Sequence, residues 1–299
     1  MNDVMIIGTV ALDTIETPFG KVERALGGSA TYASYAASFF SKPAIVSVVG
    51  RDFPGEYLEL IKSRNIDTKG IQVEGKTFHW DGYYEFDMNQ AKTKKTELNS
   101  LADFKVRVPD SYKKIKNVFL ANIDPAHQLE ILSQMEKPEL IVLDTMNFWI
   151  SSKRDALMKI IGMADIFVLN DGEARQLFET SNLVKAAKDA LALGPKAVII
   201  KKGEHGALLF ENDKHFSAPG YPLEVIKDPT GCGDCFGGAI IGYLSKAGKS
   251  DHSTLRKAII YGSVVASYNA EDFSLNRLKT LSNSDIDKRY REFEDMREF

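Results

Sequence analysis

Asp228-Pro229-Thr230-Gly231-Cys232-Gly233-Asp234-Cys235-Phe236-Gly237-Gly238 is the stretch on which the reading of this chain turns. It follows a short apolar run, Leu223, Val225 and Ile226, expected to be a strand. It precedes Ala239, Ile240, Tyr243 and Leu244, which recur at helical spacing. Pro229 forbids a helix up to that point, and the glycines allow backbone angles that other residues resist. Strand, glycine turn and helix start in that order form an anion site. The first amides of a helix have no internal partner, and the helix dipole places about half a positive charge there. Asp234 stands inside this cradle, where a carboxylate is expected to shed its proton easily and to accept one from a substrate hydroxyl. A phosphate held beside an ionised Asp points to phosphoryl transfer to an alcohol.

Other readings of the same residues are narrower. No Gly-Lys-Ser/Thr follows the glycines, so this is not a P-loop. The glycines run G-x-G-x-x-x-G late in the chain, unlike a dinucleotide fingerprint in a first βα turn. Cys232 and Cys235 form a C-x-x-C at a helix start, the pattern of a thiol redox site, but that reading leaves Asp-Pro-Thr and Gly-Gly without a purpose. A second cysteine pair for zinc is absent. The bland reading is a structural glycine turn that places two small buried cysteines.

Composition sets the outer bounds. The chain has 299 residues, 44% hydrophobic and 26% charged, enough for a large core in an α/β protein. A net charge of -3 gives no basis for nucleic acid or an acidic membrane as partner. Two cysteines three apart cannot staple a chain this long, which fits a reducing, cytoplasmic compartment. No basic region and long apolar run precede the first strand at 4–7, so no leader is expected. No apolar run approaches the roughly 20 residues that cross a bilayer.

The pattern along the chain is that of a parallel sheet wrapped by helices. Residues 4–8 read as a buried strand ended by glycine, and 44–49 as the next. Residues 14–25 read as a hairpin turning at Pro18-Phe19-Gly20. Ala33, Ala36, Ala37 and Phe40 then mark a helix whose small residues permit close approach to a sheet. Between 71 and 101 helical spacing disappears, and Phe78, Trp80, Tyr83, Tyr84 and Phe86 alternate with polar residues. With the hairpin they predict a small antiparallel sheet, its aromatics packed inside rather than left as an apolar patch. From 118 onward strands at 118–121, 140–143 and 166–169 alternate with helices at 126–136 and 152–163. That regular alternation predicts a parallel sheet covered on both faces. Asn170 with Glu173 fits a capping box at a strand end. Further apolar segments at 183–193 and 255–270 read as helices, and 197–210 as a strand, a glycine turn and a returning strand. Either Lys201 or Lys202, at the end of that first strand, has the reach to meet a phosphate, although a solvated lysine is the default.

Asp-x-Thr-Gly-x-Gly-Asp late in the chain, with Leu26-Gly27-Gly28-Ser29 early in it, resembles the ribokinase-like (PfkB) carbohydrate kinase family. The order and spacing of the other motifs agree over almost the whole length. The resemblance implies a three-layer αβα fold across 1–299 as a single domain, with a lid from 14–25 and 71–101. It implies an ATP-dependent kinase that phosphorylates a primary alcohol of a small sugar or nucleoside. Asp234 then acts as base, with Gly231, Cys232 and Gly233 supplying the anion hole. Asp13, Gly27 and Gly28 hold the acceptor. Asn170, Lys202, Gly203, Gly206, Thr230, Gly231, Gly233 and Ser263 fall on the ATP side. Glu173 organises Mg2+ through water, and Asp144 with Asn147 forms a second polar pair near the phosphate. A monovalent cation (K+) near Asp228 and a homodimer through the lid are further implications. Tyr32 stands where the family carries Asn, which departs from a plain ribose site. A non-catalytic nucleotide or sugar sensor on the same fold is the alternative.

Overall fold

The computed structural model describes residues 2–296. The first half of the chain contains β1 (Val4–Ile7), β2 (Ala11–Thr17), β3 (Gly20–Gly27), α1 (Ser29–Ala37), β4 (Pro43–Val49), α2 (Gly55–Ser63), β5 (Asp67–Val73), β6 (His79–Tyr84) and β7 (Ala91–Glu97). It continues through β8 (Asn117–Leu120), α3 (Pro125–Gln134), β9 (Leu140–Leu143), α4 (Asn147–Ser152), α5 (Arg154–Ile161), β10 (Ile166–Asn170), α6 (Asp171–Phe178) and α7 (Leu183–Leu191). The last part holds β11 (Ala197–Lys201), β12 (Ala207–Phe210), β13 (His215–Ala218), α8 (Cys232–Ala247), α9 (His252–Asn269), α10 (Asn276–Lys279) and α11 (Asn283–Asp295).

Among the described residues, nine strands form one sheet in the order β13-β12-β11-β10-β9-β8-β1-β4-β5. The pairings from β5 to β11 are parallel, and only β12 and β13 run antiparallel at one edge. Alternation within β1 shows why the sheet is central. Val4 and Ile6 point into a cluster with residues of α1, α8, α9 and α11. Met5 and Ile7 point into a second cluster with residues of α3, α5, α6 and α7. All four are fully buried. A strand apolar at every position has no face for water, so helices cover both sides.

The small sheet has the order β3-β2-β6-β7. The β2–β3 and β6–β7 pairs are antiparallel, as the hairpin and the aromatic alternation predict. The central β2–β6 pair is parallel, because these two strands come from separate excursions of the chain rather than from one hairpin.

Three local expectations change. Residues 71–73 complete β5 on the large sheet, so the second excursion to the small sheet begins later than 71. The helix expected over 152–163 is the shorter α5, and a separate short helix, α4, precedes it across Lys153. The helix that the Asn170–Glu173 cap predicts is α6. The apolar run 223–226 is not a strand. Pro222 and Pro229 bracket it without N–H donors, Val225 is exposed, and the amides of Lys227 and Asp228 bond instead to the Ala270 carbonyl. The motif is therefore reached through irregular backbone tied to the end of α9.

Close packing of α1 on α8 positions the motif helix. A Cβ on Gly238 would lie 2.1 Å from the Ala33 carbonyl oxygen, and one on Gly242 would lie 2.9 Å from the Ala37 Cα. Gly55, at the start of α2, has open space around it. Gly238→Ala is expected to lower the thermal unfolding midpoint by overpacking worth about 1–3 kcal/mol. Gly55→Ala should leave the midpoint level or raise it. Equal midpoints for the two variants would remove the helix contact as a constraint.

Candidate active site

Parallel strands deliver their polar residues to one edge of the sheet, where open α/β folds collect ligands. Asp144 follows β9, Asn170 ends β10, Lys201 ends β11, and Thr9 follows β1. Thr9 is tied to the start of α1: the Ser29 amide donates to Thr9 Oγ1 and the Thr9 amide to Ser29 Oγ, each at 2.9 Å. Ser29 Oγ then donates to the Asn122 carbonyl at 2.8 Å, linking β1, β8 and α1 at the crevice.

Asp13 is carried by β2 and is 5% exposed. The Gly28 amide donates to its Oδ2 at 3.3 Å. Both glycines are required here. A Cβ on Gly27 would strike Asp13 Oδ2, and Gly28 has φ 94° with the Thr9 carbonyl oxygen 2.5 Å from where its Cβ would stand. Burial, reinforced by Asp228 and Asp234, pushes the Asp13 carboxyl up to about 7.

The motif opens on an Asx turn. Asp228 is 1% exposed, and its Oδ1 accepts the Thr230 amide at 2.9 Å. Gly231 takes a left-handed conformation (φ 78°) as the N-cap of α8, and its Cα lies so close to the Tyr32 ring that a Cβ would overlap it. Tyr32 is thus the floor under the glycine turn. Its hydroxyl is buried without a hydrogen-bond partner among the described residues. Position 32 therefore contributes packing to the turn.

Asp234 lies in the first turn of α8, partly open to the crevice and enclosed by protein elsewhere. Burial, with repulsion from Asp144 and against attraction from Lys201, pushes its carboxyl up to about 7. This corrects the expectation of a readily ionised carboxylate: at this depth desolvation outweighs the helix amides. Cys232 and Cys235 are free thiols. Burial pushes Cys232 up to about 12 and Cys235 well above its ordinary value, so neither offers the thiolate that redox exchange requires.

On the opposite wall, Asn170 and Glu173 form the capping box. The Glu173 amide donates to Asn170 Oδ1 and the Asn170 amide to Glu173 Oε2, both at 2.7 Å. Glu173 is 7% exposed, and burial pushes its carboxyl up to about 7, with Lys201 opposing and Asp144 reinforcing. Of the two candidate lysines, Lys201 is the one that joins this cluster. Its Nζ lies 3.0 Å from both oxygens of the buried Asp144. Lys202, expected on the ATP side, is half-exposed and outside the cluster: it lies just past the end of β11, where the backbone leaves the extended conformation (ψ 32°) to enter the Gly203 turn. Which of the two lysines faces the crevice has no signal in the sequence.

The remaining expected residues divide. Thr230 Oγ1 donates to the Tyr84 hydroxyl of the small sheet at 3.2 Å, and its carbonyl accepts from Asn269. Gly203 and Gly206 have positive φ at the turn after β11, with Asn89 of the β6–β7 connection beside Gly203. Ser263 is half-buried on α9 and makes no hydrogen bond to these groups. Asn147 is exposed at the start of α4 and does not join Asp144.

A family model described as pfkB family carbohydrate kinase matches residues 1–278. A cytidine kinase of Thermococcus kodakarensis is 31% identical over 251 residues, covering 81% of this chain and 89% of that protein. An E. coli protein provisionally named ribokinase II, solved in complex with ATP and Mg2+, superposes with TM-score 0.79 at 19% identity, over 99% of this chain and 100% of that one. A Burkholderia thailandensis nucleoside kinase, in complex with ADP-inosine, gives TM-score 0.78 at 19% identity, over 97% and 95%.

The raised carboxyls make stability depend on pH. Asp13, Glu173 and Asp234 hold protons up to about 7 in the folded chain, whereas an unfolded carboxyl releases its proton near its ordinary value of about 4. The folded state thus binds more protons in this window. The stabilisation that these three carboxyls contribute is fully present below about pH 4 and is lost as pH rises to about 7. The free protein should lose thermal midpoint between about pH 5 and about pH 7, and Asp234→Asn should lose less. Parallel curves for the two proteins would show that Asp234 is already ionised at low pH.

Proposed function

Because the chain belongs to the pfkB family of carbohydrate kinases and is a phosphotransferase acting on an alcohol group of a sugar or nucleoside, we propose that its acceptor is a nucleoside and its donor ATP. The observation that carries this reading is the joint placement of Asp13, Asp234 and the first-turn amides of α8 at one crevice. The 31% identity to a cytidine kinase supports a nucleoside. Replacement of the family's asparagine by the buried Tyr32 sets the site apart from plain ribose recognition. The ATP and Mg2+ bound by the E. coli structural neighbour support the donor.

In this mechanism Asp13 and the Gly27-Gly28 turn hold the acceptor. Asp234 takes the proton from its primary hydroxyl. The hydroxyl oxygen bonds to the γ-phosphorus, and the bond from that phosphorus to the β,γ-bridging oxygen breaks, the diphosphate leaving with the electron pair. The amides of Gly231, Cys232, Gly233 and Asp234 meet the charge on the phosphoryl oxygens. A carboxyl near 7 suits a base at neutral pH better than a strongly acidic one. Asn170, Thr230, Gly203, Gly206 and Ser263 line the nucleotide side.

Among the described residues no group of three or more His, Cys, Asp or Glu is arranged to cage a metal. Glu173 would serve as an outer partner of Mg2+, a cation that keeps several waters and takes few protein carboxylates. When bound, Mg2+ would neutralise phosphate charge. We take 1–299 as one kinase domain with the small sheet as its lid. Activation by K+ near Asp228, dimerisation through the lid and a cytoplasmic location complete the proposal. No described helix is long and apolar enough to cross a membrane.

ADP release with Mg-ATP should be seen with cytidine or another nucleoside and not with ribose or fructose, with K+ present and absent. Turnover restricted to sugars would overturn the nucleoside reading. Asp234→Asn should lower kcat by about 10²- to 10⁴-fold while the fold is kept. Near-full turnover in this variant would remove Asp234 as base. For the wild-type protein kcat/KM should climb with pH through about 7, since the base must be deprotonated. A flat profile from about pH 5 to about pH 8 contradicts that assignment.

A further inference from the structure

The Asp144–Lys201 pair lies at the strand ends beside the first turn of α8. Lys201 ends β11, and its side chain is 17% exposed against 4% for Asp144. Its Nζ also stands 3.2 Å from the position a Cβ would take on Gly233, so the ammonium rests against the first turn of α8. Glu173 and Asp234 face it from α6 and α8. The ammonium therefore sits among three carboxyl groups and beside the free amides of the glycine turn.

Two features separate this from an ordinary ion pair. Burying an ion pair gives weak net stability, and an apolar pair of similar volume is often as stable. The ammonium carries three N–H donors, and Asp144 is its only acceptor among the described residues. Burial works against the charge of Lys201, but Asp144 and Glu173 outweigh it and keep the group protonated. A fixed cation with donor capacity to spare, set against a helix N-terminus, matches an incoming phosphoryl oxygen.

We propose that Lys201 binds the transferable phosphoryl group of the donor nucleotide, with Asp144 as the positioning residue that holds its ammonium toward α8. This rests on the phosphoryl-transfer reading of the crevice. Lys201 neither gives nor takes a proton: its charge meets the phosphoryl oxygens before and during transfer. Lys202 has no part in this contact.

Three variants of the full chain test this: Lys201→Met, Asp144→Asn and the two combined. Titration calorimetry reads ATP against ADP affinity, and unfolding curves read stability. Lys201→Met should weaken ATP by about 10- to 100-fold and ADP far less, since only ATP carries the third phosphate. It should also lower the unfolding midpoint by leaving Asp144 buried and unpaired. The double variant should regain that midpoint but neither the ATP preference nor kcat. Recovery of ATP preference and kcat in the double variant would show that Lys201 only neutralises Asp144. Unchanged ATP preference in a folded Lys201→Met would overturn the proposal equally. The binding ratio is independent of the acceptor, so it remains decisive if no nucleoside is turned over and the acceptor reading fails.

Discussion

The contact of α8 with α1 and β8, made through glycines on α8, is the constraint on which the crevice depends. Gly238 and Gly242 bring α8 against Ala33 and Ala37, and Gly237 lies over the Phe119 ring of β8. A helix held this closely has its first turn fixed relative to the strand ends. The Gly231 turn then rests on Tyr32, itself a residue of α1. One packing contact thus sets the position of the helix amides, of Asp234 and of the glycine turn together. Distortion there would be transmitted, because packed interiors do not absorb shifts smoothly.

The crevice gathers negative charge at some cost. Asp13, Asp144, Glu173 and Asp234 are all driven toward their neutral forms by burial. Lys201 is the single buried ammonium opposing them in the strand-end cluster among the described residues. Such an arrangement is poor for stability and suited to a site that receives a polyphosphate with its counter-ions. The small sheet adds a wall through Tyr84 on Thr230, and the β6–β7 connection places Asn89 beside Gly203.

Most of the layer architecture was legible in the sequence. Unbroken apolar strands such as Val4–Ile7 have no wet face, and repeated strand–helix alternation leaves few ways to bury them. Asp-x-Thr-Gly-x-Gly-Asp announced a glycine turn into a helix because those residues restrict the backbone locally. The run at 223–226 misled because apolar content does not supply ladder partners. The prolines beside it lack donors, and the adjoining amides bond to the end of α9 instead.

Local events could be read from residue order alone: which segments suit strands, where the glycine turn falls, and that Asn170 and Glu173 cap a helix. Those follow from period, propensity and capping, which act over a few residues. Three features had to await the folded chain. Lys201 rather than Lys202 joins the crevice, Tyr32 packs under the Gly231 turn, and burial pushes the Asp234 carboxyl up to about 7. Each depends on what surrounds a side chain from distant parts of the chain. Desolvation and charge coupling have no signature in sequence spacing.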